Sequence, residues 1–173
     1  MIKQDLLENQ VKIVYLGIGS NLGNKKLNIE VAKSKLQYHK IKIVKCSRNY
    51  ESVSWPDSKK PKFINIILQI KTNLSPYKLL KICSLIETEL GRKRLKKNEP
   101  RIIDIDIIDY NQIIFDDINT NLILPHNLMS QRIFVLLPLF EINQSWKHPK
   151  TKINIVKLIS SLEIRDLRSI KQI

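Results

Sequence analysis

Apolar and polar positions along this chain follow two periods, and the switches between them lay out a series of strands and helices. "VKIVYLGIGSN" (11–21) is an apolar run that ends in glycine and serine, as a strand does on entering a turn. "NKKLNIEVAKSKLQYHK" (24–40) spaces Leu27, Val31 and Leu36 near the helical period, with charges between them. "IKIVKCSRNYES" (41–52) alternates and predicts a second strand, and "FINIILQIKT" (63–72) a third, with the proline- and lysine-rich loop "SVSWPDSKKPK" between them. Ser75 and Pro76 supply an N-cap and a first-turn proline for a helix over 77–90, and Gly91 suits its C-terminal cap. A basic loop, 92–100, leads into a fourth strand near 102–110. "SQRIFVLLPLFEI" (130–142) predicts a short buried helix broken near Pro138, and "INIVKLISSL" (153–162) a last amphipathic helix.

The order is β-α-β-β-α-β with a C-terminal extension. This is the split βαβ, ferredoxin-like arrangement of an α+β fold: an antiparallel sheet with helices on one face. At 173 residues the chain predicts one domain, 1–173, with no room for a second catalytic domain. Its hydrophobic share of 43% is enough for a core. No apolar run approaches the ~20 residues that span a bilayer, and the first residues lack the order of a signal peptide. Cys46 and Cys83 make no disulfide framework, and His39, His126 and His148 form no ligand pair by spacing. A cytoplasmic setting and a monomer are the expectations.

Charge changes the picture. Thirty Lys and Arg stand against sixteen Asp and Glu, a net charge of +14, and such an excess attracts polyanions. Lysine, isoleucine and asparagine are all over-used, as A/T-rich codons would produce, so part of the excess is compositional. An RNA-binding module of the same topology is the alternative function. It would present aromatics on its central strands, in a pattern like G-F-G-F-V-x-F, and these strands do not.

The chemistry concentrates in "KKNEPRIIDIDIIDY" (96–110), where residues 102–108 comprise five isoleucines and two aspartates. Strand alternation puts Asp104 and Asp106 on one face, ~6.6 Å apart along the backbone, with Ile103, Ile105 and Ile107 turned to the core. Asp109 has the opposite parity and is left out of the pair. Two carboxylates on one face repel unless a cation lies between them, and oxygen ligands on a rigid strand suit magnesium with phosphate completing its shell. The adjoining Arg92, Arg94, Lys96, Lys97 and Arg101 are what a nucleotide triphosphate would need as well. "GIGSNLG" has the wrong third spacing for a dinucleotide loop and no Walker lysine follows it, so it is a strand-to-helix turn bordering the site.

The chain resembles the 6-hydroxymethyl-7,8-dihydropterin pyrophosphokinases of folate synthesis. "YLGIGSNLGN" (15–24), "YES" (50–52), "FIN" (63–65), "IETELGR" (86–92), "PRIIDIDII" (100–108) and "LPHNLMSQRIFVLLPLFEI" (124–142) follow that family's motifs in order. The resemblance implies transfer of the β,γ-pyrophosphate of ATP to the pterin hydroxymethyl group, with release of AMP and with two magnesium ions on Asp104 and Asp106. It assigns Arg92 and Arg101 to catalysis, and Glu87, Arg94, Arg101, Ile107, His126 and Arg132 to ATP. Ser52 (through its backbone), Val53, Phe63, Asn65 and Phe134 fall at the pterin. Departures are Asn98 and Glu99, where an aromatic and a small residue usually stand, Val53 for a frequent proline, and Ser84 and Asn121 at positions that often contact ATP. No specific nucleic acid and no membrane partner is expected.

Overall fold

Strand β1 (Lys12–Ser20) pairs antiparallel with β4 (Phe63–Thr72) along its whole length, from Lys12 opposite Thr72 to Ser20 opposite Ile64. In this computed structural model, which describes residues 10–54, 57–92, 99–117, 120 and 122–173, that pair is the axis of the molecule. On its far side β1 pairs with β5 (Asp104–Tyr110). β2 (Lys42–Cys46) and β3 (Tyr50–Ser52) lie end to end on the other side of β4. β8 (Ile170–Gln172) closes the row against β3. The sheet order is β5-β1-β4-β3-β8, antiparallel throughout, as the split βαβ order predicts. A separate hairpin joins β6 (Phe115–Asp117) to β7 (Leu122–Leu124).

Two helices cover one face. α1 (Lys25–Tyr38) begins at Asn24, whose side chain accepts the Leu27 N–H, and buries Ile29, Ala32 and Leu36. Of the stripe read from sequence only Leu36 is fully buried, and Leu27 is exposed. α2 (Pro76–Glu89) starts at the Ser75 cap with Pro76 in its first turn, as predicted. It ends at Gly91, φ +88°, where the Arg92 N–H reaches back to the Glu87 carbonyl. These helices and the inward isoleucines of β1, β4 and β5 form one core.

The opposite face carries a second core beneath α3 (Ile133–Ile142) and α4 (Ile155–Ser160), so helices lie on both faces rather than one. α3 runs unbroken through Pro138. The lost N–H costs one bond to the Phe134 carbonyl, and a helix whose Val135, Leu136, Leu139 and Ile142 are all buried is held by packing instead. α5 (Ile164–Arg168) and β8 were not foreseen. The strand predicted over 41–52 breaks at Ser47, whose Oγ accepts the Ile67 N–H that a continuous ladder would use. Among the described residues no helix is long and apolar enough to cross a membrane.

Candidate active site

α3 leaves part of the second face uncovered, and there a pocket opens between Gly17, Gly19, Phe63, Asn65, Asp104 and Phe134. β1 supplies its floor. Gly17 and Gly19 are strand residues on the pocket side, not members of a turn as the motif suggested. A Cβ on Gly19 would stand 2.9 Å from Asn65 Oδ1 and 3.4 Å from Phe63 Cδ1, so the bare backbone is what opens the floor.

One wall is acidic. Asp104 and Asp106 share the pocket face of β5, opposite Gly19 and Gly17. Asp104 is held from both sides: Arg92 Nη1 lies 2.5 Å from Oδ1 and Arg101 Nη2 2.5 Å from Oδ2. Asp106 leaves 40% of its side chain open, with Arg132 Nη1 at 3.9 Å and His126 Nε2 at 4.0 Å. Burial in the pocket, and then repulsion from Asp104, raise the Asp106 carboxyl well above the usual range, with Arg132 opposing the shift. Asp106 is therefore the less closely paired of the two carboxylates, with its arginine and histidine neighbours 3.9 and 4.0 Å away rather than 2.5 Å. Among the described residues no group of three or more His, Cys, Asp or Glu gathers. A cation here would take most of its shell from water and phosphate, which suits magnesium and not zinc.

Glu87 does not face the pocket. It is 2% exposed, its Oε1 accepts the Ile105 N–H at 2.8 Å, and it is ion-paired with Arg92. It anchors Arg92 against Asp104. Ile107 likewise points its side chain into the α1/α2 core, away from the carboxylates. His126 follows the cis Leu124–Pro125 bond and donates its N–H to the Ile108 carbonyl, which sets the ring beside Asp106. Its Nδ1 accepts the Leu128 N–H. Burial, and then the charge of Arg132, push its pKa down to about 4, so the ring is neutral at pH 7.

The other wall is an aromatic slot. Phe63 and Phe134 line it, each capped by a guanidinium: Arg101 Cζ lies 5.1 Å from the Phe63 ring centre and Arg132 Cζ 5.7 Å from that of Phe134. Asn65 is buried between Ser52 and Gly19. Its Nδ2 donates to Ser52 Oγ at 2.9 Å, which leaves Oδ1 at the pocket floor. Ser52 thus holds Asn65 through its side chain, and Val53 lines the rim. Acids and slot share the floor of one cavity.

Sequence reasoning reached most of these residues and missed some. Gly17 and Gly19, two apart on one strand, carried the parity signal that had been applied to the aspartates. Asp109 also returns to the pocket-side face, because β5 slips by one residue where Tyr15 opposes Asp109 and Leu16 opposes Ile107. It still takes no part in the acid pair, since its carboxylate accepts Trp146 Nε1 at 2.8 Å in the second core. Nothing in the sequence marks that bulge. Arg94, Lys96, Lys97, Asn98 and Asn121 lie outside the described residues.

The family model for 7,8-dihydro-6-hydroxymethylpterin-pyrophosphokinase (HPPK) matches residues 15–144. The chain is 40% identical over 129 residues to the 2-amino-4-hydroxy-6-hydroxymethyldihydropteridine pyrophosphokinase of Methylorubrum extorquens, covering 74% of this chain and 80% of that one. The enzyme of the same name from Aquifex aeolicus is 40% identical over 137 residues, 79% and 83% of the two chains. The folic acid synthesis protein fol1 of Pneumocystis carinii is 36% identical over 165 residues, 94% of this chain but 22% of that much longer one. In structure, a Plasmodium falciparum HPPK-DHPS with pterin and p-hydroxybenzoate superposes with a TM-score of 0.76 at 18% identity, over 98% of this chain and 49% of that one. That likeness speaks to the fold. With the motifs in order, a family model over most of the chain and bacterial relatives matched over most of their length, the chain belongs to the 7,8-dihydro-6-hydroxymethylpterin pyrophosphokinase family.

Proposed function

We propose that this protein transfers the β,γ-pyrophosphoryl group of ATP to the hydroxymethyl oxygen of 6-hydroxymethyl-7,8-dihydropterin, using Asp104 and Asp106 to hold two magnesium ions. The observation that carries this is the common floor of the acid wall and the aromatic slot. A flat heterocycle in the slot puts its side-chain oxygen beside the carboxylates, where the triphosphate must lie.

The pterin hydroxyl attacks the β-phosphorus. The bond from that phosphorus to the α,β-bridging oxygen breaks, the bridging oxygen leaves with AMP, and the hydroxyl proton passes to solvent. Such a transfer asks the protein mainly to position and neutralise. Magnesium, when bound, supplies the charge that draws the triphosphate to two carboxylates. Arg101 and Arg132 stand at the seam between slot and acids, and they neutralise phosphate oxygens there. Both oxygens of Asp104 serve arginines; with magnesium bound, Asp104 would offer the ion an oxygen and Arg92 and Arg101 would pair with phosphate oxygens instead. Neutral His126 donates through Nε2 without adding charge. Phe63 and Phe134 stack on the pterin faces, and Asn65 Oδ1 accepts from its ring edge.

The charge of +14 favours the nucleotide's approach. Two acids on the pocket face of β5 would repel RNA phosphates, which makes the RNA-binding alternative unfavourable. We further propose a single catalytic domain over 1–173, acting as a monomer in the cytoplasm.

Mixing protein, magnesium, ATP and hydroxymethyl-dihydropterin should yield AMP and the pterin diphosphate in equal amounts. ADP as the nucleotide product, or no turnover, would overturn the reading.

A further inference from the structure

We propose that Asn21 is the positioning residue that keeps the acid wall and the aromatic slot in register. Asn21 follows directly on β1 and is 4% exposed. Its side chain reaches two chain segments that are otherwise far apart in sequence. Oδ1 accepts the Arg101 N–H at 2.7 Å, and Nδ2 donates to the Pro61 carbonyl at 3.1 Å. Its own N–H donates to the Arg101 carbonyl at 3.1 Å, so residue 101 is held at both backbone polar groups.

What hangs from those two segments is the pocket itself. Arg101 is the guanidinium on Asp104 Oδ2 and the cap over the Phe63 ring. Pro61 lies two residues before Phe63, where β4 begins. The amide therefore closes a ring of contacts: Asn21 to Arg101, Arg101 across to Phe63, and Phe63 back through Pro61 to Asn21. Lys60 and Glu99, 3.8 Å apart, cross the same gap at the surface, but an ion pair with exposed partners contributes little.

Turn geometry does not account for the residue type. Asparagine is common in turns because it tolerates positive φ, yet among the described residues the non-glycine positions with positive φ are Lys40, Asn111, Gln112 and Lys152, not Asn21. The demand on position 21 is chemical: one acceptor and one donor at opposite corners of a short, buried side chain. Aspartate supplies only the acceptor, and alanine supplies neither. Asn21 touches no reacting atom, and it acts through Arg101 and Phe63.

The kinetic part of this proposal rests on the pyrophosphokinase reading, so the test has a ligand-free arm as well. Asn21→Ala and Asn21→Asp are compared with the parent by thermal melting, by backbone amide exchange without ligands, and by kcat and KM for each substrate. In the ligand-free protein, exchange at Arg101 should rise in Asn21→Ala and stay near the parent's in Asn21→Asp, which keeps the acceptor. Misplacement of the acid wall should lower kcat of folded Asn21→Ala by about ten- to a hundredfold. Asn21→Asp should instead raise the pterin KM by about tenfold while leaving the ATP KM near the parent's.

If both variants keep the parent's kinetic constants per folded molecule, or change them identically, Asn21 merely stabilises the turn and the proposal is wrong. Unchanged Arg101 exchange in Asn21→Ala contradicts it irrespective of activity. Should Asn21→Ala fail to fold, the split between substrates in Asn21→Asp decides alone. A parent without turnover refutes the pyrophosphokinase reading, and the exchange data still judge Asn21.

Discussion

Glu87 and Arg92 form a buried ion pair across the C-terminal cap of α2, and that pair delivers the arginine to Asp104. The same glutamate takes the Ile105 N–H. A helix end, a strand and an active-site guanidinium are thus joined through one carboxylate.

Glu87→Ala should therefore damage both stability and turnover. The orphaned Ile105 N–H alone costs about 1–3 kcal/mol. Glu87→Gln keeps an acceptor and loses the charge, so it should melt closer to the parent while turnover still falls, because Arg92 loses its anchor. Denaturant titrations beside steady-state assays separate the two. Equal kcat in the parent and the glutamine variant would show that the pair is purely structural.

Asp106 should show the opposite balance. Its folded pKa is raised, so its contribution to stability is present at low pH and is lost as pH rises through the folded value. Asp106→Asn resembles the protonated form. In chelator-treated protein at pH 8 it should melt at a higher temperature than the parent, yet have no measurable turnover with magnesium and ATP. A variant both less stable and fully active would remove Asp106 from the site.

Gly19→Ala tests the floor. The new methyl would force Asn65 Oδ1 from its place, since the ideal separation is 2.9 Å. The pterin KM should rise about tenfold or more, with little change in the ATP KM and an intact fold. Measuring the two Michaelis constants separately checks it. An unaffected pterin KM would move the pterin elsewhere.

His126 gives a stability slope in acid. Its folded pKa of about 4 lies below the ordinary 6.5, so between these values the unfolded chain binds the extra proton. Stability from this group is full above about 6.5 and is lost as pH falls toward 4. His126→Gln should flatten the fall in melting temperature over that window. Asp106 contributes with the opposite sign, so the difference between variant and parent is the quantity to read. An unchanged slope would mean that the histidine is not held neutral.

Much of this was legible in the chain because local rules and packing agree over most of it. Ser75, Pro76 and Gly91 bound α2 as their backbone chemistry requires, and the period-2 pattern places Asp104 and Asp106 on one face. The failures come where distant parts decide. The β5 bulge, which swings Asp109 to the pocket-side face, is set by pairing with β1. Pro138 stays helical because its neighbours are buried, and β8 exists because β3 offers it an edge. The resemblance assigns Glu87 to ATP, and only the tertiary structure reveals Ile105 and Arg92 as its partners. Ile107 follows its strand parity into the core.

The most direct test is a crystal structure with magnesium, a non-hydrolysable ATP analogue and hydroxymethyl-pterin. Two cations should lie between the oxygens of Asp104 and Asp106 and the phosphates, with the pterin between Phe63 and Phe134. A triphosphate bound away from β5, or carboxylates free of any cation in that complex, would contradict the account.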